Sequence, residues 1–193
     1  MGLCRAGWSP RGVDIEQQDR YPFDFTRADA LDVTIDPRRY GLVWASPPCQ
    51  AYSMYSRNTG TAGRHPDLVA RVREKLSASG VPYVIENVLG APIRADVLLC
   101  GTMFGLGVRR HRIFELSFPA PALTLACNHA RDAIPVFGHG TPQWHRRKWG
   151  RNISIVEKRA AMGIDWMNRD ELSEAIPPAF GEWIGRLALE SLR

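Results

Sequence analysis

The sequence predicts an α/β fold with a parallel sheet and crossover helices. Two observations point there: short apolar runs alternate with helical patterns through the first half, and reactive polar side chains stand where the runs end. "RGVDI" (11 to 15) reads as a strand ending in an acid, and "GLVWASPP" (41 to 48) as a second strand, with a link between them. "HPDLVARVREKLSASG" has the apolar spacing of a helix closed by Gly80, and "VPYVIENV" (81 to 88) comes next as a third strand. "RRHRIFELSF" (109 to 118) is a further strand. The texture then changes to Pro, Gly, His and Trp. Helical patterns return in "SIVEKRAAMGI" (154 to 164) and in "PPAFGEWIGRLALESLR" (177 to 193), where proline suits a first helical turn. The expected organisation is an α/β core over 1–118, a small insertion over 119–152, and C-terminal helices over 153–193 that return to the core.

At 193 residues and 45% hydrophobic, the chain is long enough for one packed domain. No apolar stretch approaches the roughly 20 residues of a membrane span, and the amino terminus lacks a signal peptide's charged-then-apolar order. A soluble, cytoplasmic protein with no membrane partner is therefore expected. Cys4, Cys49, Cys100 and Cys127 are widely spaced without a CxxC pair, which argues against a disulfide framework or a four-thiolate zinc site. The net charge is +5, and among the 25 basic residues only Lys75, Lys148 and Lys158 are not arginine. Arginine grips phosphate in a bidentate way, so an anionic partner is indicated, nucleic acid first.

Ligands of open α/β sheets bind beyond the carboxyl ends of the strands, where Asp14, Cys49, Glu86 and Asn87 stand. Singly, each has an ordinary structural reading: a loop cap, a small packed residue, a salt-bridge partner. Together they form a coherent chemical set. A thiol is a strong nucleophile, the prolines before Cys49 fix the backbone that aims it, and a carboxyl group on a neighbouring strand end holds or donates a proton. That pairing suits attack on an electron-poor heterocycle.

"AYSMYSRNTGTAGRHPD" (51 to 67) has the composition of a loop that closes over a substrate. The insertion supplies Arg131, Arg146, Arg147, Lys148 and Arg151 for phosphate contacts, and Trp144 and Trp149 as stacking or packing surface. Cys127, His129, His139 and His145 are donor types that suit zinc, but the tight Cys-x-His spacing matches no finger pattern, so no metal is expected. Cys100 in "LLCGTMFG" reads as core, and Cys4 as lying on a helix.

"PPCQ" (47 to 50), "ENV" (86 to 88), "RRHR" (109 to 112) and "IPPAFGEWIG" (176 to 185) occur in the order and approximate spacing of the cytosine-5 DNA methyltransferases, and the chain most resembles their short phage and prophage members. The resemblance implies a Rossmann-like S-adenosylmethionine-dependent methyltransferase fold acting on double-stranded DNA. It implies a restriction-modification or phage setting, in the cytoplasm of a bacterial or infected cell. By the same resemblance Cys49 is the nucleophile that adds to carbon 6 of a flipped cytosine, and Glu86 the acid at ring nitrogen 3. Arg110 and Arg112 are the arginine pair of the QxRxR motif, with Val108 in place of its glutamine. Asp14, Ile15, Asp29, Ala30 and Pro47 fall at cofactor positions, and Pro48, Gln50, Ser53, Asn87 and Val88 around the substrate base. The 119–152 segment falls where the family carries its target-recognition region, here a short one that would read few bases.

The family begins with a strand and a DxFxGxGG turn that cradles the cofactor's methionine part. "MGLCRAGWSPRGVDI" corresponds to the helix after that turn and then the second strand, so the expected fold is incomplete at its N-terminus, with a complementing chain as one way to supply the motif. Two alternatives stay open: a DNA-binding remnant without methyl transfer, and a related pyrimidine-modifying enzyme acting on RNA.

Overall fold

The computed structural model describes residues 1–53, 58, 60, 63, 66–120, 126–137 and 142–192. A short helix α1 (Gly2–Arg5) leads into strand β1 (Arg11–Asp14), which pairs in parallel with β2 (Asp24–Arg27) as a two-stranded sheet. Next come β3 (Val43–Ala45), helix α2 (Val69–Ser79), β4 (Tyr83–Asn87), β5 (Val97–Leu99), a 3-10 turn (Gly101–Phe104) and β6 (Arg112–Leu116). The chain ends in helices α3 (Gln143–Trp149), α4 (Ile155–Met162), α5 (Arg169–Glu174) and α6 (Pro178–Ser191).

The second sheet has the order β3-β4-β6-β5, with β3 and β4 parallel and the other two pairs antiparallel. The architecture is thus mixed α/β, where the alternation of runs and helices alone pointed to a parallel sheet. The expected α2 crossover does join β3 to β4, as a parallel pair requires. Beyond β4 no such crossover intervenes. The chain passes through β5 and turns back along β6, and direct returns of this kind are antiparallel. The stretch read as a link between the first two strands contains β2, whose residues, DFTR, are polar at both ends and only half-buried between.

β4, YVIEN, is buried at all five positions because both faces of the sheet are covered. Val84 packs with Phe114 on one face against Phe180, Ile184 and Ala188 of α6. Tyr83 and Ile85 face the other way, against Leu76 of α2. Such burial contributes on the order of 2 kcal/mol per large side chain. A further core of Val108, Val136, Ala161, Met162, Ile164 and Leu172 lies under the C-terminal helices.

Sequence signals end these helices where expected. Gly80 takes the left-handed conformation that closes α2, at φ 69°. Ser154 and Glu157 form a capping box at α4. The polar run RDELSE becomes α5 through the equivalent box of Asn168 and Glu171, with Leu172 its buried anchor. α1 lies so close to α6 that a Cβ on Gly2 would stand 2.2 Å from the Pro178 carbonyl oxygen, so only glycine fits there. Glu115, fully buried on β6, is held by a bidentate pair with Arg73 at 2.9 and 2.8 Å and by the Arg94 backbone N–H at 2.9 Å.

Candidate active site

Cys49 sits just past the end of β3 on a turn fixed from two sides. Buried Asn87, the last residue of β4, donates from Nδ2 to the Pro47 carbonyl at 3.0 Å, while its Oδ1 accepts from the Val88 N–H at 2.8 Å. On the other side, the Cys49 carbonyl accepts from the N–H groups of Tyr52 and Ser53, each at 3.0 Å. Tyr52 is in turn buried against Val69 and Ala91. The half-buried thiol is therefore carried on rigid backbone. Pro47 is buried, Pro48 exposed, and Gln50, Ser53 and Val88 are half-buried around it. The Gln50 Oε1 atom is buried with no hydrogen-bond partner among the described residues.

Glu86 and Arg112 meet through the pleat of the sheet. Glu86 lies opposite Phe114 in the β4–β6 ladder, so Arg112, two residues before Phe114, shares its face diagonally. The Arg112 Nε stands 2.8 Å from the Glu86 carboxylate. Burial pushes the Glu86 carboxyl up from its ordinary range, with Arg112 and a hydrogen bond from Ser46 acting against it. Burial also pushes the Cys49 thiol up; Arg112 opposes that rise, Glu86 adds to it, and Arg110 opposes it more weakly. Cys49, Glu86, Arg110 and Arg112 therefore act on one another electrostatically, and in this form the thiol keeps its proton at neutral pH.

Arg110 stands behind this group. Its backbone has φ 30°, a region that side-chain-bearing residues seldom adopt. Its Nη1 and Nη2 donate to the carbonyls of Val136 and Ser173, both at 2.7 Å, and its buried Nε has no hydrogen-bond partner among the described residues. Burial and the nearby Arg112 pull its guanidinium down to about 9, still above neutrality, so it keeps its charge. Val108, at the position where the resemblance places glutamine, is only 1% exposed and belongs to the core with Met162 and Leu172. Its side chain offers no polar group there.

A separate group gathers at the ends of β1 and β2. The Ala28 N–H donates to the Asp14 carbonyl at 2.9 Å, tying the two strand ends together. Asp14 Oδ1 accepts from the Glu16 N–H at 2.9 Å, and Asp29 Oδ1 from the Leu31 N–H at 2.8 Å. Ile15 is 65% exposed beside them, and Ala30 is exposed as well. Two carboxylates next to an open apolar side chain fit a ligand carrying hydroxyl and amine donors on a flat ring.

Sequence reasoning did not single out Ser46, which accepts from Trp44 Nε1 at 3.2 Å and also bonds Glu86. Its place beside the prolines was the available signal. The carbonyls of Val136 and Ser173 that hold Arg110 left none, since a backbone oxygen belongs to any residue. Of the loop expected over 51 to 67, residues 54–57, 59, 61–62 and 64–65 lie outside the described residues, as do 121–125 and 138–141 of the insertion, His139 among them, and the Trp149 side chain. Within residues 119–152 Lys148 is paired with Asp132 at 2.5 Å, and Arg151 pairs with Glu157 at 2.6 Å. Arg131, Arg146 and Arg147 are exposed, and Trp144 is 60% exposed with its ring against His145. Among the described residues no helix is long and apolar enough to cross a membrane.

No family model matches the sequence. Over 81 residues the chain is 35% identical to a protein of Frog virus 3 (isolate Goorha) named "Probable DNA (cytosine-5)-methyltransferase", a stretch that covers 42% of this chain and 36% of that protein. The chain thus matches about a third of its relative's length. That partial likeness supports a relationship between this chain and the cytosine-5 DNA methyltransferases.

Proposed function

We propose that the protein methylates carbon 5 of cytosine in double-stranded DNA, with S-adenosylmethionine as methyl donor and Cys49 as covalent nucleophile. The observation that carries this reading is the joint placement of the Cys49 thiol, the buried Glu86–Arg112 pair and the Arg110 guanidinium. On this reading the mixed α/β architecture is a Rossmann-like methyltransferase core, with the 119–152 segment as its target-recognition insertion.

The chemistry rests on what each group does. Carbon 6 of cytosine resists a thiol until ring nitrogen 3 takes a proton, and a buried carboxyl whose pKa is raised holds a proton more readily than an exposed one. Glu86 supplies it, while Cys49 gives its own proton to solvent and its sulfur bonds to carbon 6. Arg112 keeps Glu86 in place, and Arg110 with Arg112 stabilises charge that develops on the base. Carbon 5 becomes electron-rich and accepts the methyl group. Loss of the carbon 5 proton to solvent then expels the Cys49 thiolate, breaking the sulfur–carbon bond, and ring nitrogen 3 returns its proton to Glu86 as the ring is restored.

S-adenosylmethionine supplies an electrophilic methyl group when bound. Asp14 and Asp29 would accept from its ribose hydroxyls and adenine amine, and Ile15, Ala30 and Pro47 would line its ring. Because carbon 6 lies inside the base stack, the nucleotide must be extruded into the pocket, where Pro48, Gln50, Ser53, Asn87 and Val88 surround it. The unpartnered Gln50 Oε1 fits a donor on that base. Exposed Arg131, Arg146 and Arg147 would hold the phosphates.

A duplex carrying 5-fluorocytosine tests this directly. Fluorine cannot leave as the proton does, so the adduct accumulates. A covalent protein–DNA product that requires S-adenosylmethionine is expected, and Cys49→Ala should abolish it. No adduct, or an adduct that survives Cys49→Ala, overturns the proposal.

A further inference from the structure

Away from the Cys49 pocket, four soft donor groups from distant parts of the chain converge. Cys100 lies just after β5, His111 immediately precedes β6, and Cys127 and His129 come from the insertion. Their ligand atoms all lie within 4.8 Å of one another. The Cys100 Sγ is 3.4 Å from His129 Nε2, and the Cys127 Sγ is 3.5 Å from His111 Nε2. The two imidazole rings meet edge to face, with centroids 5.1 Å apart and planes at 81°, so they approach a shared point from different directions.

We propose that Cys100, His111, Cys127 and His129 bind one zinc ion in a closed tetrahedral site that pins the insertion to the core. Zinc with Zn–S near about 2.3 Å and Zn–N near about 2.0–2.1 Å sets neighbouring thiolate and imidazole atoms about 3.6 Å apart. The two sulfur–nitrogen separations in the structure are already close to that spacing. Two thiolates and two imidazoles in a tetrahedral arrangement favour zinc over magnesium or calcium, which take oxygen donors. All four positions are filled by protein, which makes the site structural rather than catalytic.

The surroundings are those of a ligand site. The Thr102 hydroxyl lies 3.1 Å from the Cys100 Sγ while its oxygen accepts from the Asn128 N–H at 3.2 Å. With the thiol deprotonated by a metal, the Thr102 hydroxyl is the partner left to donate to that sulfur. Arg109 donates to the His129 carbonyl at 3.1 Å, a second tie between the insertion and the core. Binding replaces two thiol protons by the metal and releases them to solvent.

The position of His111 gives the site a consequence. It stands between Arg110, whose guanidinium donates to the Val136 and Ser173 carbonyls, and Arg112, which pairs with Glu86, while its own ring turns to the cluster. A metal holding that ring outward would fix the alternation, including the unusual φ of 30° at Arg110.

The test needs no methyl transfer and holds whether or not the chain methylates DNA. Protein purified without chelator should contain one zinc per chain by elemental mass spectrometry, and a thiol-binding mercurial should release it. Cobalt(II) should give the d–d bands of a tetrahedral ion together with thiolate-to-cobalt charge transfer. Cys127→Ser and His129→Ala should each weaken cobalt binding roughly tenfold or more, because even outer-shell changes cost about 10–100-fold. Cys4→Ser, an exposed thiol on α1, should leave it unchanged. Reduced protein that takes up no zinc or cobalt at equimolar level, an octahedral cobalt spectrum, or a Cys100–Cys127 disulfide in its place overturns the proposal. So does a Cys127→Ser protein that binds cobalt as tightly as the unaltered chain. Metal release is read on the unaltered protein, so it decides the matter even where a variant fails to fold.

Discussion

The Cys49 pocket and the Cys100–His111–Cys127–His129 cluster both place thiols beside nitrogen-bearing side chains, yet they suit opposite tasks. At Cys49 one sulfur shares its surroundings with a buried carboxyl and two guanidiniums, groups that move protons and stabilise charge but do not ligate a soft metal. In the cluster, two sulfurs and two imidazoles face one another with no carboxylate among them. What a cysteine can do is thus decided by what converges on it. The two groups meet at the start of β6, where Arg110, His111 and Arg112 serve pocket, cluster and pocket in turn. That junction allows changes that disturb one group, both, or neither.

The largest separation is expected from Glu86→Gln. Glutamine still accepts from Arg112 but cannot deliver a proton to ring nitrogen 3, and loss of such an acid typically costs about 10²–10⁴-fold in rate. Methyl transfer into duplex DNA, assayed with labelled donor, should fall by that factor while zinc content stays at one per chain. Stability gives an independent readout. Burial raises the Glu86 pKa in the folded state, so its contribution is fully present below the unfolded carboxyl range and is lost as pH rises through the folded value. Glutamine has no such dependence. As pH rises from the ordinary carboxyl range upward, the Tm of Glu86→Gln should therefore improve relative to the unaltered protein. A constant difference would contradict the raised carboxyl.

Val108→Gln disturbs both groups. It introduces the glutamine of the QxRxR motif that the sequence resembles, and on that resemblance alone would strengthen support of the proposed base. The structure predicts the reverse, because Val108 is 1% exposed among Met162, Ile164 and Leu172. Burying an amide there without a partner costs about 1–3 kcal/mol. Val108 also adjoins the metal-ligand turn: a Cβ on Gly101 would stand 2.3 Å from its carbonyl oxygen. A lowered denaturation midpoint with weakened cobalt binding is expected. Higher methyl transfer at unchanged stability would show that the amide finds a partner.

The two groups also differ in how much of them could be read in advance. Cys49 announced itself by standing at a strand end behind two prolines, and β4 by an unbroken apolar run closed by Glu86 and Asn87. α2, α4 and α6 were legible from apolar spacing, capping residues and an opening proline. β2 and α5 were not, since each is short and mostly polar and takes its structure from a neighbour or a cap. The cluster was harder still. Cys127 and His129 were visible as donors, but Cys100 looked like one more apolar residue and His111 like part of an arginine motif. His145, which seemed an equal claimant, is buried with its ring against Trp144, 3.9 Å between centroids. Convergence of four residues from three segments is a property of the tertiary fold, and no local period encodes it.

Arg147→Ala should touch neither group and give the smallest effect. Arg147 is exposed on α3, near the end of a helix whose neighbouring Lys148 is already engaged by Asp132. If the insertion meets the DNA backbone, removing one guanidinium removes one phosphate contact. The affinity should then drop a few-fold and equally for all sequences, and the slope of log affinity against log salt should become shallower by about 1. Zinc content and adduct formation at saturating DNA should not change. A variant that alters which sequence is preferred, without changing the salt slope, would place Arg147 against a base edge instead, and would move the reading surface of the insertion onto α3.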